Sequence, residues 1–165
     1  MPSFTNQGIN LHYRDRGAGE AVIFLHEFGG DARSWDYQMT YLSHHGSLFR
    51  TLALNARGYP PSDVPETADA YGWKENRDDV IALLDNLQIE KAHMVGLSMG
   101  GYIALMLGLA APERVCLLSA PVADPARTRR RERLLFGILS PVQNEFSSID
   151  KFLQRVWPLP RTVFN

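Results

Sequence analysis

One segment restricts the fold more than any other. In Gly96-Leu97-Ser98-Met99-Gly100-Gly101, Ser98 directly follows residues 91–97, a largely apolar stretch of strand length, and precedes Met99–Ala110, which is apolar at nearly every position and long enough for three helical turns. A G-x-S-x-G pattern between strand and helix calls for a sharp, strained turn. Glycines stand where backbones crowd, and the serine hydroxyl is lifted above the sheet at the positive end of the helix. An oxyanion forming there is stabilised. The short pattern is common by chance, and its place between strand and helix is what makes it informative. Ser98 is therefore the candidate nucleophile.

The rest of the chain supplies a frame for such a turn. Residues 9–14 alternate, with Ile9, Leu11 and Tyr13 on one face and Asn10, His12 and Arg14 on the other. Gly17-Ala18-Gly19 makes a turn, and residues 21–25 (Ala-Val-Ile-Phe-Leu) suit a strand covered on both faces. Gly29 and Gly30 end that run. Residues 34–43 can form a helix with Trp35, Met39 and Leu42 inward, and residues 51–54 the next strand. Residues 55–65, with three prolines and a glycine, form a loop. In residues 71–88, Trp73, Val80, Leu84 and Leu87 recur near helical spacing. Residues 114–119 give a further strand.

The order β-α-β-α-β-α-β from residue 21 specifies an α/β fold, a mostly parallel sheet with helices on both faces. The apolar Met99–Ala110 helix is expected to be buried all round. After Pro121 no strand is expected: residues 127–139 and 147–156 read as amphipathic helices. This divides the chain into a core at residues 1–122 and a lid-like helical segment at residues 123–165.

With 165 residues, 45% apolar and 21% charged, the chain suits an ordinary globular domain with a real core. No apolar run is long enough to span a bilayer, and no basic region precedes an apolar one at the N-terminus, so no membrane partner is expected and the cytoplasm is the default location. The single cysteine, Cys116, excludes an intramolecular disulfide and a Cys-based zinc site. The net charge of −1 hides a skew: residues 1–96 hold 8 Lys/Arg against 13 Asp/Glu, and residues 97–165 hold 9 against 5. Most of the positive excess lies in Arg127, Arg129, Arg130, Arg131 and Arg133. Such a run can meet nucleic acid or anionic membrane. No aromatic residues interleave it to stack on bases, so a solvated helix face is the plainer reading and no nucleic-acid partner is expected.

Three further segments keep a fixed order around Ser98. They are Phe24-Leu25-His26-Glu27-Phe28-Gly29-Gly30, then Trp35, then Asn55-Ala56-Arg57-Gly58-Tyr59-Pro60-Pro61-Ser62-Asp63. In these the chain resembles the α/β-hydrolase superfamily, in its branch of small serine esterase-like enzymes, from about residue 4 to residue 121. The first is similar to the family's His-Gly oxyanion loop, Trp35 to a tryptophan that opens its first helix, and the last to its Arg-Gly-x-Gly-x-Ser loop.

The resemblance implies Ser98 as nucleophile, an oxyanion hole from the backbone N–H groups of Met99 and Phe28, and His26 and Glu27 beside the substrate. It implies a small-molecule carboxylic ester as substrate and no metal or organic cofactor. In that family the residue at His26 is structural rather than a base. Glu27 stands where the family usually has glycine. A carboxylate there opposes a growing oxyanion unless it turns away or is protonated, and the expectation is that it turns to solvent or to an arginine such as Arg57.

The family's triad runs Ser, then Asp or Glu, then His. All five histidines here, His12, His26, His44, His45 and His93, precede Ser98. Asp124 follows the strand at 114–119, where some members take their acid, and serves equally as an N-cap of the arginine-rich helix. The expected fold is thus the family's, truncated after the strand that follows the nucleophile helix. Three readings stay open. One is a serine hydrolase, a fragment of a longer protein or one whose base comes from a second chain. Another is a catalytically impaired, hydrolase-derived module that binds a ligand or oligomerises. A distant third is a nucleic-acid or membrane module on the arginine run. A sheet ending at residues 114–119 would leave a bare edge, and a homo-oligomer is the expected remedy.

Overall fold

The computed structural model describes residues 1–44, 48–122 and 135–139. Its centre is β3 (Glu20–Leu25), whose side chains alternate between two separate apolar layers. Ile23 and Leu25 join the layer built with α2 (Trp73–Asn86) and α3 (Met99–Ala110), through Val80, Leu83, Leu84, Ile103, Ala104 and Leu107. Val22 and Phe24 face the other way, onto Trp35 and onto Met39 and Leu42 of α1 (Asp36–His44). The Phe24 and Trp35 rings lie 5.0 Å apart. Burial on both faces is what a strand with no polar alternation requires.

Seven strands form one sheet in the order β1-β2-β4-β3-β5-β6-β7. The four central strands, β4 (Phe49–Leu54), β3, β5 (Ala92–Gly96) and β6 (Val115–Val122), are parallel. On one side β1 (Ser3–Asn6) and β2 (Ile9–Gly17) add antiparallel strands. The expected α/β frame and its helices on both faces are present, and the C-terminal ends of β3, β4 and β5 open toward the loops that carry the candidate residues.

Three expectations change. Residues 135–139 are not helical: they form β7 (Leu135–Leu139), antiparallel to β6 from the pair Leu118–Leu139 to the pair Val122–Leu135. Leu-Phe-Gly-Ile-Leu is a short apolar run of the kind that periodicity alone cannot assign. β7 also occupies the edge of β6, so among the described residues the sheet ends at β7 rather than at residues 114–119. The outer side of α3 is not buried among the described residues, with Tyr102 and Leu109 exposed, the latter at 72%. Apolar content placed the helix against the sheet without fixing how many of its sides are covered. Finally, Trp73 at the start of α2 is half exposed rather than inward. Asp124, the arginine run at 127–133 and the expected helix at 147–156 lie outside the described residues.

Candidate active site

The turn from β5 to α3 is as tight as its sequence demands. Ser98 sits at φ +51° and ψ −111°, a conformation that costs a non-glycine residue roughly 1–3 kcal/mol and persists only where its surroundings enforce it. The enforcement is visible. The Leu97 N–H donates to the Leu25 carbonyl at 3.1 Å, and the Gly100 N–H to the carbonyls of Leu97 and His26 at 2.9 and 3.1 Å. A Cβ on Gly96 would collide with the Gly100 backbone, and one on Gly100 with the Leu25 carbonyl. Both glycines are therefore set by close backbone approach, and they hold Ser98 at the N-terminus of α3.

The loop after β4, residues 55–63, is knitted from within. Arg57 and Asp79 of α2 are almost fully buried and form a two-pronged pair, with Nε and Nη2 each 2.7 Å from a carboxylate oxygen. Asp79 also accepts from the Asn6 amide at 2.8 Å, and Arg57 donates to the Ala70 carbonyl at 2.7 Å. The ion pair holds the guanidinium firmly charged despite its burial. The Asn55 side chain accepts from the Ala32 N–H at 2.7 Å, and the Ser62 hydroxyl donates to the Asn55 carbonyl at 2.8 Å while accepting from the His12 N–H. From this base Tyr59 reaches out. Its hydroxyl donates to the Phe28 carbonyl at 2.8 Å and lies 3.6 Å from the Met99 sulfur. Burial, with the Glu27 charge adding to it, raises the phenol's pKa and keeps it a donor.

The loop after β3 is looser. His26 is buried, with Nδ1 2.8 Å from the Glu27 carbonyl and Nε2 accepting from the Ala56 N–H at 3.2 Å, which assigns the proton to Nδ1. Burial lowers its pKa, opposed by the bond to the Glu27 carbonyl and the charges of Glu27 and Asp31. Both nitrogens are engaged, so His26 positions the loop and has no lone pair to offer Ser98. The Glu27 carboxylate turns to neither solvent nor Arg57. Oε1 accepts from the Ser34 hydroxyl at 3.0 Å, while Oε2 is buried with no hydrogen bond among the described residues. Arg57 is committed to Asp79, so the expected arginine partner was never available.

Ser98 opens into a cleft of about 850 Å³ whose lining includes Phe28, Tyr59, Tyr71, Trp73, Met99 and Tyr102. The structure thus brings together Ser98, Met99 and Phe28, and leaves His26 and Glu27 off that lining. No other backbone carbonyl claims the N–H groups of Phe28 or Met99 among the described residues. The Trp73 and Tyr102 rings lie 5.3 Å apart, tilted by 40°, and form an aromatic wall. No described histidine reaches the Ser98 hydroxyl: His12 contacts the Asn10 amide and His93 faces Glu20. Sequence reasoning missed Asp79 and Tyr59. The signal for Asp79 was present, since an acid four residues before Leu83, next to Val80, falls on the apolar stripe of its helix.

Comparison with known proteins agrees with this geometry. The model of the alpha/beta hydrolase family matches residues 22–165. Epoxide hydrolase 2 of Siraitia grosvenorii is 34% identical over 113 residues, which cover 68% of this chain and 35% of that protein. The epoxide hydrolase VrEH1 from Vigna radiata superposes with a TM-score of 0.69 at 29% identity, over 76% of this chain and 40% of that one. The enol-lactonase from Burkholderia xenovorans LB400 superposes with a TM-score of 0.67 at 30% identity, over 74% of this chain and 47% of that one. The chain spans less than half the length of each of these three. A strained serine between a central parallel strand and a glycine-crowded helix, in a chain matched over most of its length, has one reading: the protein belongs to the alpha/beta hydrolase family.

Proposed function

We propose that this chain carries the nucleophile and oxyanion site of a serine hydrolase acting on carboxylic esters, cyclic esters included. The observation that carries the reading is a serine hydroxyl, not a carboxylate, on the strained turn at residue 98. The alternative suggested by the relatives is epoxide opening, and elementary chemistry separates the two. A serine that attacks an ester carbonyl displaces the alcohol and leaves an acyl-enzyme, whose carbonyl water can attack in turn. A serine that opens an epoxide forms an ether, which has no carbonyl for water to attack, and turnover stops. Ser98 therefore suits acyl transfer, the chemistry named for the enol-lactonase relative.

In this mechanism the Ser98 oxygen attacks the carbonyl carbon, and the oxyanion is held by the N–H groups of Met99 and Phe28. Tyr59 fixes the Phe28 carbonyl, and His26 fixes the loop below it. The aromatic wall of Trp73 and Tyr102 receives the apolar part of the substrate. The general base comes from outside the described residues. Its absence among them favours one second reading, a module that binds ligand in the cleft without turnover.

The test uses p-nitrophenyl acetate, a γ-lactone and an aryl glycidyl ether, with the 165-residue chain and its Ser98→Ala variant. A positioned base contributes on the order of 10²–10⁴-fold, so slow or absent ester turnover by this chain is expected, with labelling of Ser98 by a fluorophosphonate slowed alike, since it needs the same activated hydroxyl, and no opening of the epoxide. Ser98-dependent epoxide opening sinks the ester reading, and ester turnover indifferent to Ser98→Ala sinks the nucleophile. Ligand binding in the cleft with no labelling of Ser98 supports the module.

A further inference from the structure

At the N-terminal ends of the parallel strands, away from Ser98, three metal-binding side chains converge from three neighbouring strands. Glu20 opens β3, His93 is the second residue of β5 and Cys116 the second of β6. One donor atom from each lies within 4.8 Å of the other two. His93 Nε2 is 2.9 Å from Glu20 Oε1, and the imidazole is held edge-on against the Phe49 ring at 6.3 Å. The backbone contributes as well. Ala92 pairs with Val115 and His93 with Leu117, so Cys116 is the extra residue of a bulge between β5 and β6. A bulge re-aims the side chain it carries, and bulges in parallel pairs are rare.

We propose that Glu20, His93 and Cys116 form a binding site for one Zn2+ ion, with solvent as the fourth ligand. Carboxylate, imidazole and thiolate are the donor types zinc takes, at about 2.0–2.3 Å. Glu20, paired to His93 and more than half exposed, is the donor with most room to adjust onto the ion. On binding, the Cys116 thiol gives its proton to solvent as the Zn–S bond forms. Metal capture therefore releases a proton and strengthens as pH rises. The ion ties β3, β5 and β6 together and stabilises the folded state by mass action. A count of one cysteine argued against a Cys-based zinc site; the sheet builds a mixed one from residues that no sequence spacing relates.

The experiment titrates tag-free 165-residue protein with Co2+ and follows visible and near-ultraviolet absorption. One equivalent is expected to give tetrahedral cobalt bands with thiolate charge transfer, which Zn2+ then displaces, and Zn2+ is expected to raise Tm. Cys116→Ser should remove the charge-transfer band, and His93→Gln should weaken Zn2+ binding by about tenfold or more. A spectrum that remains that of aqueous Co2+, or binding undiminished by Cys116→Ser, overturns the site. Should either buried-side variant fail to fold by far-ultraviolet circular dichroism, Glu20→Gln at the exposed ligand decides. Weaker Zn2+ binding there supports the proposal and unchanged binding overturns it.

Discussion

The two loops beside Ser98 are built on opposite plans. Residues 55–63 sit over a buried ion pair and satisfy their polar groups internally, through Arg57, Asn55 and Ser62. Residues 27–30 lie toward solvent, and Phe28 is 76% exposed although its N–H is the proposed oxyanion donor. The second loop takes its position from the first: Tyr59 holds the Phe28 carbonyl, Ala56 holds the His26 ring, and Asn55 holds Ala32 at the far end. Damage to the buried loop should therefore appear as lost stability. Damage to the exposed loop should appear as altered chemistry in a protein that remains folded.

The largest effect is expected at the ion pair. Asp79→Ala leaves the Arg57 guanidinium buried and unpaired, which costs about 3–5 kcal/mol, a large share of a small domain's stability. Urea unfolding followed by circular dichroism measures it. A loss below about 1 kcal/mol would mean that Arg57 finds water once Asp79 is gone, and the contrast between the loops would collapse.

A smaller effect separates buried from exposed by pH. His26 has a folded pKa below its ordinary value because burial penalises the imidazolium. The unfolded chain therefore takes up the proton first. The stability His26 provides is complete well above pH 6.5 and is lost as pH falls through 6.5 toward the lower folded pKa, at no more than about 1.4 kcal/mol per pH unit from one group. Urea midpoints between pH 8 and 5 should show that slope, and His26→Gln should remove it. A slope that survives the substitution places the titration elsewhere.

How much of this was legible in the sequence follows the same division. The elbow was readable because its constraints are local: the glycines at 96 and 100 answer backbone contacts one turn or one strand away. The parallel core was readable because β3 carries no polar side chain after Glu20, its exposed first residue. The partner of Arg57 was not, since Asp79 lies 22 residues on and only the packing of α2 against the loop brings it near. Glu27 was misread for a related reason. Its partner Ser34 is close in sequence, but nothing in the pattern ranks a serine hydroxyl over an arginine already taken. β7 was misread because pairing, not periodicity, decides a five-residue apolar run.

Tyr59→Phe tests the link between the loops. Removing the hydroxyl frees the Phe28 carbonyl, which is exposed enough to find water, so stability should fall by no more than about 0.5–1.5 kcal/mol. If the Phe28 N–H holds the oxyanion, a loosened loop should lower kcat of the base-complete enzyme by roughly tenfold, within what one misplaced donor can cost, with KM little changed. A variant with wild-type kcat shows that the exposed loop keeps its place without Tyr59.

The smallest effect is expected at Glu27, where the two plans meet. Its carboxylate lies beside the candidate oxyanion loop, yet Oε1 is turned to Ser34 and no hydrogen bond joins it to Ser98. A carboxylate held there cannot take the serine proton, because a general base must reach the proton it removes, at about 2.6–3.2 Å or through one water. Glu27→Gln keeps the shape and can still accept from Ser34 through its amide oxygen, so esterase activity should stay within a few-fold of wild type. Removing a negative charge near a forming oxyanion should, if anything, raise kcat slightly, because like charge opposes the transition state. A drop of about a hundredfold would instead mark Glu27 as the missing base, reached by a swing of the side chain from Ser34 to Ser98. The Ser34→Ala variant separates the two accounts. If Glu27 is only tethered, freeing it should leave the rate unchanged; if Glu27 is the base, freeing it should make the enzyme faster.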